Sequence, residues 1–150
     1  TARGAYTANV AKSWNDKKDS AFLKASLKKN KSSKFLTNKR EVQLLKQRNS
    51  YLLSIRDSWL LKNQKEIELN FFFSKFYYPK NIHRISKNKM VINFKNSTLE
   101  MDIKSNSFIQ AKVFDFNFSD KYGFEEQCYG INIIAQKNKG FIESNFSIEY

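Results

Sequence analysis

The side chains best suited to catalysis are scarce in this chain. His83 is its sole imidazole and Cys128 its sole thiol, and neither has a second catalytic partner nearby in the sequence. A disulfide, a CxxC redox pair and a zinc site built from several Cys or His are therefore excluded within the chain. We interpret His83 as a surface residue beside Arg84, and Cys128 as an ordinary buried or half-buried thiol on a strand.

Carboxylate pairs are the remaining route to acid–base chemistry. Glu125 and Glu126 are adjacent, so on a strand they point to opposite faces. Glu100 and Asp102 share one face of a predicted strand, but that face is the solvent side. The four glycines form no phosphate-binding loop. The sequence therefore predicts a protein that is not an enzyme and that needs no cofactor or metal.

Positive charge is the strongest signal in the sequence. The chain has 27 Lys and Arg against 14 Asp and Glu, a net charge of +13. Eleven of the cations lie between residues 17 and 48, where only Asp19 and Glu41 oppose them. Clustered cations neutralise phosphates and release counterions, which predicts a nucleic-acid-binding arm. Its members are Lys17, Lys18, Lys24, Lys28, Lys29, Lys31, Lys34, Lys39, Arg40, Lys46 and Arg48.

The first third of the chain differs in composition from the rest. Residues 1–36 combine Ala, Ser, Lys and Asn with few large apolar residues, which predicts a basic extension that orders on a partner, with a short helix around 19–29. Residues 37–150 are predicted to form a single α+β domain. A solvated or protein-docking tail is the alternative interpretation of the extension.

One long amphipathic helix is predicted over residues 38–63. Asn38 and Glu41 resemble a capping pair. Apolar residues then recur at a spacing of three or four, and the expected core-facing set is Val42, Leu45, Leu52, Ile55 and Trp59.

The apolar period changes to two after residue 63. Alternation at 67–71, 90–94, 99–103, 108–118, 127–135 and 141–150 predicts an antiparallel β-meander of five to six strands that packs on the helix. A change of parity between Val113 and Phe114 predicts a β-bulge. No apolar run is long enough to span a bilayer, so we predict no transmembrane segment.

These features favour a non-enzymatic, RNA-binding structural component of a ribonucleoprotein. The chain resembles ribosomal proteins in being small, very basic and polarised in charge. Lys, Asn, Phe, Ile and Tyr account for 71 of 150 residues, which is typical of an AT-rich genome. We therefore predict a mitochondrial or other organellar ribosomal protein inside a large intracellular particle, with rRNA and neighbouring proteins as partners. The alternative is a protein-assembly module, because a helix followed by a meander is also the layout of type IV pilins, NTF2-like and cystatin-like domains; a phage structural subunit belongs to the same class.

Overall fold

Every regular element of the described chain is a β-strand. The computed structural model describes residues 13–17, 19–27, 35–63, 66–73, 79–119, 123 and 125–149, and within them there is no helix. The strands are β1 (Ser13–Lys17), β2 (Ser20–Leu27), β3 (Phe35–Lys46), β4 (Ser50–Leu61), β5 (Glu66–Phe72), β6 (Asn81–Ser86), β7 (Lys89–Asn93), β8 (Thr98–Ser105), β9 (Phe108–Ser119), β10 (Glu125–Gln136) and β11 (Lys139–Glu149). The predicted α+β class is therefore wrong, and the fold is all-β. No described helix is long and apolar enough to cross a membrane.

The strands form two antiparallel sheets that pack as a sandwich. The larger sheet has eight strands in the order β1-β2-β3-β4-β11-β8-β7-β6, and the smaller has three in the order β5-β10-β9. The predicted single meander is wrong because the chain changes sheets four times, after β4, β5, β8 and β10. The last strand, β11, lies between β4 and β8 and so joins the two halves of the larger sheet.

The predicted helix over 38–63 is a β-hairpin made of β3 and β4. On β4 the buried residues Ile55, Asp57, Trp59 and Leu61 occur at every second position, which is the period of a strand with one core face. Ile55 and Trp59 are four residues apart, so the same pair also fits a helical stripe. The non-local pairing of β4 with β11 favours the strand.

The proposed capping pair at the start of that helix has a different role. Asn38 lies opposite Trp59, and Glu41 lies opposite Arg56, both within the β3–β4 ladder. The helix-plus-meander layout that suggested an assembly module is therefore not found in the part of the chain that the structure describes.

Residues before β3 also extend the larger sheet. The predicted short helix over 19–29 is wrong, since Ser20–Leu27 forms β2, which pairs with both β1 and β3. Residues 13–17 and 20–27 are strands of the larger sheet, and β3 crosses the predicted boundary between residues 36 and 37. Ordering of the extension on a partner stays a prediction. The remainder of the predicted extension, apart from Asp19 and the first residues of β3, lies outside the described residues.

The core lies between the two sheets. The larger sheet contributes Ile92, Met101, Ile103 and Ile142, and the smaller sheet contributes Ile67, Ala111, Ile131 and Ile133. All of these side chains are fully or almost fully buried. Their burial is the main stabilising contribution to the fold, at roughly 25 cal/mol per Å² of apolar surface removed from water.

The predicted bulge near Val113 is wrong, because the β9–β10 register is continuous there. The register shifts instead where Ile134 pairs with Gln110 and Ala135 with Phe108. After Val113 the apolar residues of β9 change from the core face to the outer face of the smaller sheet. There Phe114 and Phe116 form edge-on contacts with Phe72. Phe72 is 63% exposed, so this aromatic cluster lies at the surface.

Candidate functional site

The described members of the predicted nucleic-acid-binding set do not share one surface. Lys18, Lys28, Lys29, Lys31 and Lys34 lie outside the described residues, and Lys17 lies on β1. Lys24 and Lys39 both contact Glu41 on the outer face of the larger sheet. Arg40 faces the opposite side, while Lys46 and Arg48 are exposed where β3 turns into β4. Contact of this set with nucleic acid stays a prediction.

The outer face of the larger sheet carries an ordered row of alternating charges. The register places Lys24, Glu41, Arg56, Glu143 and Lys104 side by side on five neighbouring strands, β2, β3, β4, β11 and β8. The nitrogen–oxygen distances along the row are 3.4, 3.2 and 4.0 Å for Lys24–Glu41, Arg56–Glu143 and Lys104–Glu143. We call this row the charge ladder. Each of its two carboxylates compensates a neighbouring cation, and the three cations and two carboxylates leave a net charge of only +1, so the row offers little attraction to an anion.

Lys39 adds a second cation to Glu41, at 2.8 Å. The hydrogen bond donated by Lys39 lowers the pKa of the Glu41 carboxyl, and the same bond raises the pKa of the Lys39 ammonium. A carboxyl with a lowered pKa contributes stability above its ordinary pKa, and that contribution is lost as the pH falls through its folded-state pKa.

We expect the Glu41 carboxyl to titrate below the usual range for glutamate, and Lys39→Gln to move its midpoint upward. The physical reason is the loss of the hydrogen bond and charge that favour the ionised form. Carboxyl-detected NMR measures the midpoint directly. Lys139→Gln, a cation on the same sheet away from Glu41, is the control and should leave the midpoint in place; an unchanged midpoint in Lys39→Gln would contradict the assignment.

Arg40 and Asp57 form a bidentate ion pair on the inner side of the larger sheet. Nε of Arg40 donates to Oδ1 of Asp57 at 2.6 Å, and Nη2 donates to Oδ2 at 2.9 Å. The Asp57 side chain is 5% exposed and the Arg40 side chain 46%. The ion pair with the buried Asp57 carboxylate accounts for an arginine at this position of β3, with no need for a contact between Arg40 and a nucleic acid.

His83 and Cys128, the two side chains considered for nucleophilic catalysis, lie in different sheets. His83 is exposed on the edge strand β6 opposite Val91, and Cys128 is buried on β10 opposite Phe116. Glu100 and Asp102 lie on the face of β8 opposite the buried Leu99, Met101 and Ile103, which confirms their predicted orientation. Among the described residues no group of three or more His, Cys, Asp or Glu could hold a metal ion.

A different basic surface forms at the end of the sandwich where β3 begins. Four segments meet there: residues 62–63 after β4, and the turns at 86–89, 104–107 and 136–139. Together these segments contain no acidic residue of their own and six lysines, namely Lys62, Lys87, Lys89, Lys104, Lys137 and Lys139. Two acidic residues of neighbouring strands lie beside them, since Glu66 pairs with Gln136 and Asp102 with Lys89. We call this surface the lysine end. The sequence pattern did not indicate this surface, because its lysines are spread over four separate segments. Lys-Asn pairs recur at 62–63, 87–88 and 137–138, but they also occur at 80–81 and 95–96, at the other end of the sandwich.

Backbone and side-chain hydrogen bonds hold these segments together. The amide of Leu61 donates to the carbonyl of Asn138, and the amide of Gln136 donates to the carbonyl of Ser107. The amide of Ile103 donates to the carbonyl of Asn88. Each of these segments is therefore hydrogen-bonded to a neighbouring segment or strand, and the lysines project from this connected backbone.

Two lysines of the lysine end keep their charge available. Lys137 and Lys139 are exposed, and neither forms an ion pair with any described residue. Lys104 is 66% exposed and lies at the limit of contact with Glu143. A surface of this kind attracts a polyanion.

Comparison with known proteins identifies the fold. No family model and no curated protein matches the sequence. Among solved structures, a heparinase III gene product matches with a TM-score of 0.60 and 10% identity over 92% of this chain. A crystal structure of heparinase III matches with a TM-score of 0.61 and 14% identity over 90%. This chain spans 21% of the length of each, so the likeness is to one β-domain of a longer protein and shows a shared fold alone.

Proposed function

We propose that this domain is a non-enzymatic module that binds an acidic polysaccharide through the lysine end. The observation that carries the proposal is the meeting, at one end of the sandwich, of four segments that contain six lysines and no acidic residue of their own. Lys104, one of the six, is also the last member of the charge ladder. Cations on short turns keep their spacing because the sheets fix both ends of each turn. A polymer with regularly spaced anionic groups can contact several of them at once.

Two observations favour a polysaccharide over RNA as the polymer. The lysine end combines its lysines mainly with Asn and Ser, and its aromatic residue Phe108 is half-buried with its ring against Lys87. The exposed aromatic cluster around Phe72 lies elsewhere, on the outer face of the smaller sheet. Sequence-specific recognition of RNA depends heavily on stacking of bases on aromatic or arginine side chains. The shared fold with a β-domain of heparinase III supports the same choice.

RNA binding remains the second candidate. Its support is the net charge of +13 and the eleven cations between residues 17 and 48. Lys46 and Arg48, the exposed members of that set at the β3–β4 turn, lie at the opposite end of the sandwich from the lysine end. The two candidates therefore predict different sensitive residues.

The test measures binding of heparin, an RNA duplex and neutral dextran at several salt concentrations. We expect heparin to bind most tightly, with an affinity that falls as salt rises. The variant Lys137→Gln/Lys139→Gln should weaken heparin binding about two- to thirtyfold, if each exposed ion pair contributes 0.2–1 kcal/mol.

The matched control is Lys46→Gln/Arg48→Gln, which removes the same charge at the other end. It should leave heparin binding within about twofold of the wild type, because the Debye length at physiological salt is only about 8 Å. Equal losses in both variants would show that net charge alone binds the polymer. Absence of heparin binding at low salt would refute the proposal, and tighter binding of RNA that depends on Lys46 and Arg48 would favour the second candidate.

A further inference from the structure

A polar cleft lies within the lysine end, between the β6–β7 turn and the β8–β9 turn. Its volume is about 310 Å³, and its polar lining comes from Lys87, Asn88, Ser105, Asn106 and Ser107. No carboxylate lines it. We propose that this cleft is the subsite that takes one oxyanion group of the bound polymer, a sulfate ester or a carboxylate; the inference rests on the proposed function.

The two asparagine side chains present donors rather than acceptors. Oδ1 of Asn106 accepts a hydrogen bond from the amide of Phe141 at 3.1 Å. Oδ1 of Asn88 accepts from the hydroxyl of Ser86 at 2.9 Å, and its Nδ2 donates to the carbonyl of Ile103 at 3.1 Å. Each amide group carries two N–H donors. Both donors of Asn106 and one of Asn88 therefore have no acceptor among the described residues.

The serine pair supplies a further donor. Ser105 Oγ donates to the carbonyl of Phe141 at 2.7 Å and accepts from the amide of Ser107 at 3.0 Å. Ser107 is buried, and the distance between the two hydroxyl oxygens is 3.3 Å. This is long for a bond between hydroxyl groups, so the Ser107 hydrogen can turn to a closer, charged acceptor.

Lys87 provides the charge of the subsite. Its Nζ lies 5.7 Å from the centroid of the Phe108 ring, a cation–π contact that holds the side chain over the cleft wall. Nη1 of Arg84 donates to the carbonyl of Lys87 at 3.3 Å and so fixes the turn. Neutral donors with one cation and no carboxylate form an environment that favours an anion over a neutral sugar hydroxyl.

The experiment replaces Asn106 in the full chain by aspartate. The carboxylate of Asn106→Asp retains the acceptor for the Phe141 amide but turns both free donors into a negative charge. The control is Asn138→Asp on the neighbouring β10–β11 turn, which places the same charge at the lysine end outside the cleft. With heparin as the probe, we expect Asn106→Asp to lose affinity about ten- to hundredfold relative to Asn138→Asp, since hydrogen bonds to charged groups are worth roughly that factor. Thermal unfolding of both variants checks that each remains folded.

The outcomes separate this proposal from the previous one. If the wild type binds heparin and the two aspartate variants lose affinity equally, the cleft is not the subsite although the lysine end still binds the polymer. If the wild type does not bind heparin, both proposals fail. Desulfated heparin distinguishes the two oxyanions: a difference between the variants that disappears with this probe assigns the subsite to sulfate, and one that persists assigns it to carboxylate. Ser107→Ala is an independent variant, and we expect it to weaken heparin binding with the fold intact; unchanged binding would remove Ser107 from the subsite.

Discussion

Replacing Trp59 by alanine is expected to lower the free energy of unfolding by about 3–5 kcal/mol. The indole is 3% exposed in the core between the sheets, and its Nε1 donates to the carbonyl of Lys137 at 3.0 Å. It also packs on Gly140, where an added Cβ would lie 2.7 Å from its ring. The substitution removes a large apolar surface and one hydrogen bond in a region that cannot fully collapse around the cavity.

Urea unfolding of Trp59→Ala measures this loss. Leu60→Ala, one residue further along β4 on the outer face, is the matched control and should cost markedly less because Leu60 is only half-buried. Since the indole supports the carbonyl of Lys137, the variant should also weaken heparin binding at the lysine end. A loss of stability below about 1 kcal/mol would mean that the indole is not a core residue.

The second large effect is expected for the ion pair between Arg40 and Asp57. Arg40→Met should destabilise the protein by about 3 kcal/mol, near the lower end of the range for breaking a buried pair, because Arg40 is half exposed. The cost arises mainly at Asp57, which is left as a buried carboxylate without its two charged hydrogen bonds. Asp57→Asn should cost less than Arg40→Met, since the arginine that remains can reach water.

Arg56→Met is the control for this prediction. Arg56 forms an exposed ion pair with Glu143 on the other face of the same sheet, and such pairs contribute at most about 1 kcal/mol. Chemical unfolding of Arg40→Met and Arg56→Met measures the difference between their losses of unfolding free energy. The double variant Arg40→Met/Asp57→Ala, which lacks the buried carboxylate as well, is measured beside them. Equal losses for Arg40→Met and Arg56→Met would contradict a special role for the buried carboxylate.

The second half of the chain was more predictable than the first. Leu99, Met101 and Ile103 alternate strictly with polar residues, a pattern that fits a strand and no helix. On β3 and β4 the apolar residues fit both the helical and the strand period, and Asn38 with Glu41 resembles the capping pair at a helix N-terminus. The choice between them depends on β11, which pairs with β4 from about 90 residues away. Local patterns carry no information on such a pairing.

The lysine end was hidden for the same reason. Its lysines come from positions as distant as 62 and 139, and only the insertion of β11 between β4 and β8 brings their turns together. The basic segment 17–48 is dense in sequence, yet antiparallel pairing distributes Lys24, Lys39, Arg40 and Arg48 over both faces and one end of the sheet. Cations that are close together in the sequence form one basic surface only where the chain does not fold back on itself.

The charge ladder has a consequence for how the sheet assembles. Because side chains alternate with a period of two, sliding β11 by two residues against β4 would keep its apolar residues in the core. Burial of the apolar residues alone therefore does not disfavour the shifted register. In the shifted register Glu143 would face Ser54 or Ser58 in place of Arg56, and the contact between opposite charges on the two strands would be lost. The charge ladder therefore stabilises the native register of the central strands relative to registers that are shifted by two residues.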